Sequence, residues 1–203
     1  MDHTDHVNLL RPAQLPPGGI WADLGAGAGA FTLALRELTG TQATIYAVDQ
    51  DRARLGELER AWRMHFGETA AVRLLPADFT CRLDLPALDG LLMANSLHFY
   101  KDKVNVLRHV GGWLKPGGRL LLVEYAADAG NVWVPYPFSF GKFQALATEA
   151  GYRAPRQLAT HPSSFLRGFY AAEAVFNTIS RESAAGQADT RKHDGRKKAE
   201  NNE

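Results

Sequence analysis

Between residues 20 and 31 the chain runs Ile20-Trp21-Ala22-Asp23-Leu24-Gly25-Ala26-Gly27-Ala28-Gly29-Ala30-Phe31: an apolar stretch with an acid near its end, alternating glycines, then the start of a helical pattern. Few folds accommodate such a segment. A strand that turns sharply into a helix needs residues without Cβ at the turn, and it brings the helix's free N–H groups and positive dipole end up to whatever sits over the loop. That is the form of a nucleotide-cofactor loop. The spacing satisfies two patterns at once. Gly25, Gly27 and Ala30 fit the G-x-G-x-x-G/A dinucleotide fingerprint, while Asp23-x-Gly25-x-Gly27-x-Gly29 is a different arrangement of acid and glycines.

The rest of the chain alternates strand and helix. Phe31, Ala34, Leu35 and Leu38 recur at helical spacing up to Gly40, and Leu55, Leu58, Trp62 and Phe66 do so up to Gly67. Val104, Leu107, Val110 and Leu114 predict another helix, and Phe140, Phe143, Leu146, Ala147 and Ala150 one more, ending at Gly151. Short apolar runs at Thr44–Val48, Val72–Leu75, Gly90–Ala94 and Leu120–Val123 read as strands, the last launched by Lys115-Pro116-Gly117-Gly118. Apolar strands between amphipathic helices predict an α/β fold with a mainly parallel sheet covered on both faces. Pro155–His161 and Arg167–Glu173 are strand-like but separated by only Pro162 to Leu166, too short for a parallel crossover, so they should form an antiparallel hairpin.

At 203 residues, 45% hydrophobic and 22% charged, the chain suits one domain with a substantial core. We expect that domain to span residues 1–179, with residues 180–203, polar and mixed in charge, as a disordered tail. A net charge of +1 gives no broad basic surface for nucleic acid. Cys81 is the single cysteine, which excludes an internal disulfide and a cysteine-built metal cluster. The first residues lack the basic start and apolar run of a signal peptide, and no apolar segment approaches the roughly 18 residues that span a bilayer. The expectation is a cytoplasmic protein with no membrane partner and no bound metal.

From about Leu15 to Phe176 the chain resembles the class I, Rossmann-like S-adenosylmethionine-dependent methyltransferases. Four segments carry the resemblance: Asp23 to Gly29, Ala47-Val48-Asp49, Pro76-Ala77-Asp78-Phe79, and Asp89 to His98 followed by Leu114-Lys115-Pro116-Gly117-Gly118. The resemblance implies a seven-stranded sheet with an antiparallel C-terminal hairpin, S-adenosylmethionine as cofactor, and ligand binding at the carboxyl ends of the strands. It implies that Gly25, Ala26, Gly27 and Gly29 pass beneath the cofactor and that Asp23 helps hold its methionine amino end. Asp49 would accept hydrogen bonds from the ribose hydroxyls; its plainer reading is a helix cap. Asp78 would take the adenine amino group, with Phe79 either on the adenine or in the core, and Gln50 stands where the family often has an apolar residue beside adenine.

Asn95 to His98 follow the fourth strand, where methyl donor and acceptor should meet. Methyl transfer is an in-line displacement, so alignment in a shielded cleft is the main requirement. If the acceptor is a hydroxyl or a protonated amine, His98 is the candidate base, with Tyr100 behind it; the plainer reading of His98 is a structural histidine. Trp133 and Tyr136, in the aromatic loop 131–138, are candidates for the acceptor wall, and His161, Ser163 and Ser164 at the hairpin tip are further ones. The expected function is methyl transfer to a small-molecule acceptor. Two rivals stay open: a cofactor-binding regulatory or scaffold protein without chemistry, and a nicotinamide-dependent oxidoreductase, disfavoured by Asp23 and by the missing Tyr-x-x-x-Lys pair.

Overall fold

The apolar runs become the strands of one sheet in a computed structural model that describes residues 1–67 and 71–177. The strands are β1 (Ile20–Leu24), β2 (Thr44–Asp49), β3 (Val72–Pro76), β4 (Leu88–Ala94), β5 (Leu114–Tyr125), β6 (Tyr152–His161) and β7 (Phe169–Phe176). Their order is β3-β2-β1-β4-β5-β7-β6. The first five pair in parallel, and β7 enters antiparallel between β5 and β6. This is the expected α/β Rossmann-like sheet with its C-terminal hairpin. The expected tail, residues 180–203, lies outside the described residues, and no helix among the described residues is long and apolar enough to cross a membrane.

Among the described residues five α-helices cover the sheet: α1 (His3–Leu10), α2 (Ala30–Thr39), α3 (Arg52–Phe66), α4 (Lys103–Gly111) and α5 (Phe140–Glu149). The period of two along each strand divides the core. Trp21, Leu92, Leu121 and Val123 pack with residues of α1, α2 and α3, whereas Leu24, Leu91, Met93, Leu120 and Leu122 pack with Leu107, Val110 and Phe143 of α4 and α5.

One local expectation needs correction, and two local features are added. Leu114 does not continue α4: the helix stops at Gly111, and Leu114 opens β5, paired with Leu88 ahead of a register shift. The cap of α3 is Asp51, whose carboxylate accepts from Ala53 and Arg54 N–H, and not Asp49. The segment before β1 holds a helix, α1, started by a reciprocal capping box in which Asp2 and Asp5 each accept the other's backbone N–H at 2.9 Å.

The centre of the sheet depends on a missing side chain. Gly90 pairs with Trp21, and a Cβ at Gly90 would stand 2.2 Å from the buried indole ring. Gly90→Ala should therefore cost about 3 kcal/mol and lower Tm by roughly 6–12 °C in a domain of this size, read by thermal denaturation.

Candidate active site

β1 neighbours both β2 and β4, so the chain leaves β1 in one direction and returns beside it in the other; the crevice at the carboxyl ends of β1 and β4 is the switch point of the sheet. A cleft of about 550 Å³ opens there. The glycine loop forms its floor. Gly25 and Ala26 N–H donate to Val48 O at 2.8 and 3.0 Å, and Gly27 N–H donates to Asp49 Oδ2 at 2.8 Å. Gly25 has φ +83°, and a Cβ there would meet Ser96 Cβ at 2.6 Å, so the loop lies directly on the end of β4. Gly27 has φ +53° and only open space where a Cβ would be. At this point the backbone is bare toward the cleft, as close approach of a ligand requires.

Three buried oxygens around this floor have no hydrogen-bond partner: Asp23 Oδ1, Asn95 Oδ1 and Ser96 Oγ. Asp23 is fully enclosed, its other oxygen accepting from Thr32 Oγ1 at 2.6 Å. Burial pushes its pKa up to about 7, opposed by the Thr32 hydrogen bond and assisted by the charge of Asp49. Asn95 has φ +53°, an unfavourable conformation held where the chain leaves β4. An acid and an amide with free, desolvated acceptors are a receptor for N–H and O–H donors, above all a cationic amine.

The structure gathers Asp23, Gly25, Ala26, Gly27, Asp49 and Asn95 on the walls of this one cleft. Gly29 begins α2 beside them. Gln50 is exposed. Asp78 lies after β3, its Oδ1 turned to Thr80 N–H and Oγ1 at 2.8 and 2.7 Å. Phe79 is buried in the core, edge-on to Tyr100 at 5.5 Å, with its ring under Gly25. Burial and then the charges of Asp78 and Asp49 raise the Tyr100 pKa.

His98 does not line the cleft wall. Its ring, 2% exposed, is held on Glu124 of β5, with Nδ1 2.7 Å from Oε2, while Glu124 Oε1 accepts the Leu97 and His98 backbone N–H groups at 3.0 and 3.1 Å. Around the ring stand Phe99 at 4.3 Å and Tyr125 at 5.8 Å. Loop 131–138 closes onto this turn through Tyr136 N–H, which donates to His98 O at 3.1 Å, and through Lys103, whose ammonium bonds Tyr100 O and stands over the Tyr136 and Phe138 rings. Trp133, in contrast, is 76% exposed. His161 Nδ1 lies 3.8 Å from Asp5 Oδ1, and Ser163 Oγ accepts Phe165 N–H in the hairpin turn.

The sequence reading missed Glu124, although an acid closing the apolar run Leu120–Val123 was a visible signal. It also missed His6 and Phe99, which line the cleft from α1 and from the turn after β4.

A sequence model of a family described as a methyltransferase domain matches residues 22–120, from β1 into β5. Over residues 22–120 the sequence is that of a methyltransferase domain, and the sheet has the class I methyltransferase fold. Among curated relatives of this methyltransferase domain, acetylserotonin O-methyltransferase of Mus musculus is 34% identical over 133 residues, 61% of this chain and 32% of the mouse protein. A ubiquinone/menaquinone biosynthesis C-methyltransferase of Azotobacter vinelandii is 30% identical over 124 residues, 58% of this chain and 48% of that protein. The chain thus spans about a third to a half of the curated relatives it matches. The solved structure of human N-acetylserotonin methyltransferase with S-adenosylmethionine superposes with a TM-score of 0.64 at 21% identity, over 86% of this chain and 52% of that one, which is a likeness of fold.

Proposed function

We propose that this chain is a methyltransferase that binds S-adenosylmethionine over the glycine loop and methylates a small-molecule acceptor. The observation that carries this reading is the unpartnered, buried Asp23 Oδ1 beneath a loop whose Gly27 leaves its backbone open to the cleft. Asp23 would take the methionine ammonium, and Asn95 would offer its free amide oxygen nearby. Asp49, ending β2 beside Gly27, would turn to the ribose hydroxyls, and Asp78 with Phe79 N–H would meet the adenine. The cofactor supplies an electrophilic sulfonium methyl; everything else is left to the protein.

On the acceptor side His98, buried behind the cleft wall, would act as general base for an acceptor that reaches the turn after β4. The Glu124 carboxylate can only accept, so it fixes the proton of a neutral imidazole on Nδ1 and leaves the Nε2 lone pair available for a proton. This arrangement favours an acceptor that loses a proton, such as a hydroxyl. The loop bearing Trp133 and Tyr136 would cover the acceptor, and Tyr100 would stand behind it. The mouse relative is named for O-methylation and the bacterial one for C-methylation, and both names concern small molecules.

Titration calorimetry tests the cofactor half. Wild type should bind S-adenosylmethionine, and Asp49→Ala should weaken that binding by about 1.5–3 kcal/mol, the range for hydrogen bonds to a charged group. A wild type that binds NADH and ignores S-adenosylmethionine overturns the proposal. Release of S-adenosylhomocysteine with pooled small metabolites tests the transfer itself.

A further inference from the structure

The α1 helix contributes a side chain to the cleft that the cofactor loop does not explain. His6 lines it. Its ring packs edge-on to Phe31 at 4.6 Å, and its ring nitrogens make no hydrogen bond or ion pair among the described residues. The helix that carries it is fixed on both sides: His3 Nε2 reaches Glu37 of α2 at 2.8 Å, and Asp5 faces His161 of β6. The position of His6 is therefore set by the fold and not by a partner of its own.

Its location along the cleft follows from the neighbours. Phe31 precedes Thr32, the residue that bonds Asp23, so His6 stands at the Asp23 end. The other basic side chain lining the cleft, Arg54, follows the Asp51 cap on α3 and stands at the Asp49 end. An amino-acid ligand that places its ammonium on Asp23 carries a carboxylate on the same carbon. That carboxylate needs a donor or a cation within reach of the Asp23 end, because leaving a desolvated anion unpaired is costly.

We infer that His6 is a cofactor-binding residue that receives the carboxylate of the methionine portion, making α1 the second half of an amino-acid clamp whose first half is Asp23. This rests on the cofactor assignment proposed above. The clamp distinguishes a ligand with an intact α-amino-acid head from one without. It also ties occupancy of the cleft to the seating of α1 on α2 and β6.

The test uses S-adenosylmethionine and decarboxylated S-adenosylmethionine, which share the sulfonium and the amine and differ in the carboxylate. Wild type should bind the first at least about tenfold more tightly, the scale of one charge-assisted hydrogen bond. His6→Phe keeps a ring against Phe31 and removes the donor; it should lose about tenfold on S-adenosylmethionine and stay within twofold on the decarboxylated compound. His6→Gln, which retains a donor, should fall between, and serves alone if the Phe variant does not fold. Equal losses on both ligands, or unchanged discrimination in both variants, overturn the inference while leaving the cofactor assignment standing. A wild type that binds neither ligand overturns both.

Discussion

Asp23→Asn should weaken S-adenosylmethionine binding by about 3 kcal/mol, roughly 150-fold, while making the stability of the ligand-free protein less sensitive to a rise in pH from 4 to 7. The first effect is the loss of a buried charge partner for the ammonium, with the neutral amide left to bond Thr32. The second follows from linkage. The folded-state pKa of Asp23 is near 7 and the ordinary value is 3.8, so the folded state holds a proton that the unfolded state has lost throughout that window. Each pH unit between them removes about 1.36 kcal/mol, so ligand-free wild type should lose about 4 kcal/mol relative to the variant between pH 4 and pH 7, with no further change above. Cofactor affinity of the wild type should rise over the same interval, because the ammonium needs the ionised carboxylate. Melting curves of both proteins from pH 4 to 8, with calorimetry at pH 6 and 8, check all three statements. Parallel Tm profiles for wild type and variant would show that Asp23 does not titrate in this window.

Glu124→Gln should cut turnover about 100-fold or more with cofactor affinity unchanged. The reason is the tautomer. A glutamine can still accept the Leu97 and His98 backbone N–H groups through its oxygen, but its amide nitrogen then donates to His98 Nδ1 and moves the ring proton to Nε2, where a base must be bare. His98→Asn should produce a loss of the same order, since base catalysis is worth roughly 100-fold to 10,000-fold, and the double variant should be little worse than either single one. If both variants instead raise the acceptor KM and leave kcat alone, His98 and Glu124 shape the acceptor pocket and the acceptor needs no base. A C-methylated acceptor that is already carbanionic would give that result.

The parts of this molecule that were legible in its sequence are those written locally. The glycine loop, the strand ends at Asp49 and Ala94, and the glycines at residues 40 and 67 that cap α2 and α3 depend on a few adjacent residues, and each lies where its spacing placed it. The hairpin followed from a length argument alone. Leu114 was misread because its apolar side chain continues the α4 stripe, while the Gly111-Gly112 pair that ends the helix carries no periodic signal. His6 and Glu124 were not found, for different reasons. His6 owes its place to the packing of α1 on α2 and β6, a long-range contact with no mark in the residues around it. Glu124 was marked, as a charge closing an apolar strand, but its meaning depends on a histidine 26 positions earlier that the sheet brings under it. Phe79 shows the limit of residue type as a guide: an aromatic after β3 suits an adenine or a core equally, and its ring sits in the core beneath Gly25.

The place of β7 has a consequence for how such a chain is made. It is the last of the described strands, yet it lies inside the sheet, paired on one side with β5 and on the other with β6. A nascent chain that has left the ribosome as far as α5 can assemble the five parallel strands, but it carries β5 with a bare edge bordered by Leu120, Leu121, Leu122 and Val123. An apolar strand with unpaired N–H and C=O groups is a template for the wrong partner. Only emergence of Phe169 to Phe176 removes it, by inserting one strand that closes β5 and seats β6 in the same step. Premature termination anywhere between Tyr125 and Gly168 should therefore yield aggregating product destined for proteolysis and not a smaller folded protein, and the rate at which residues 169–176 are translated sets how long that edge stays open.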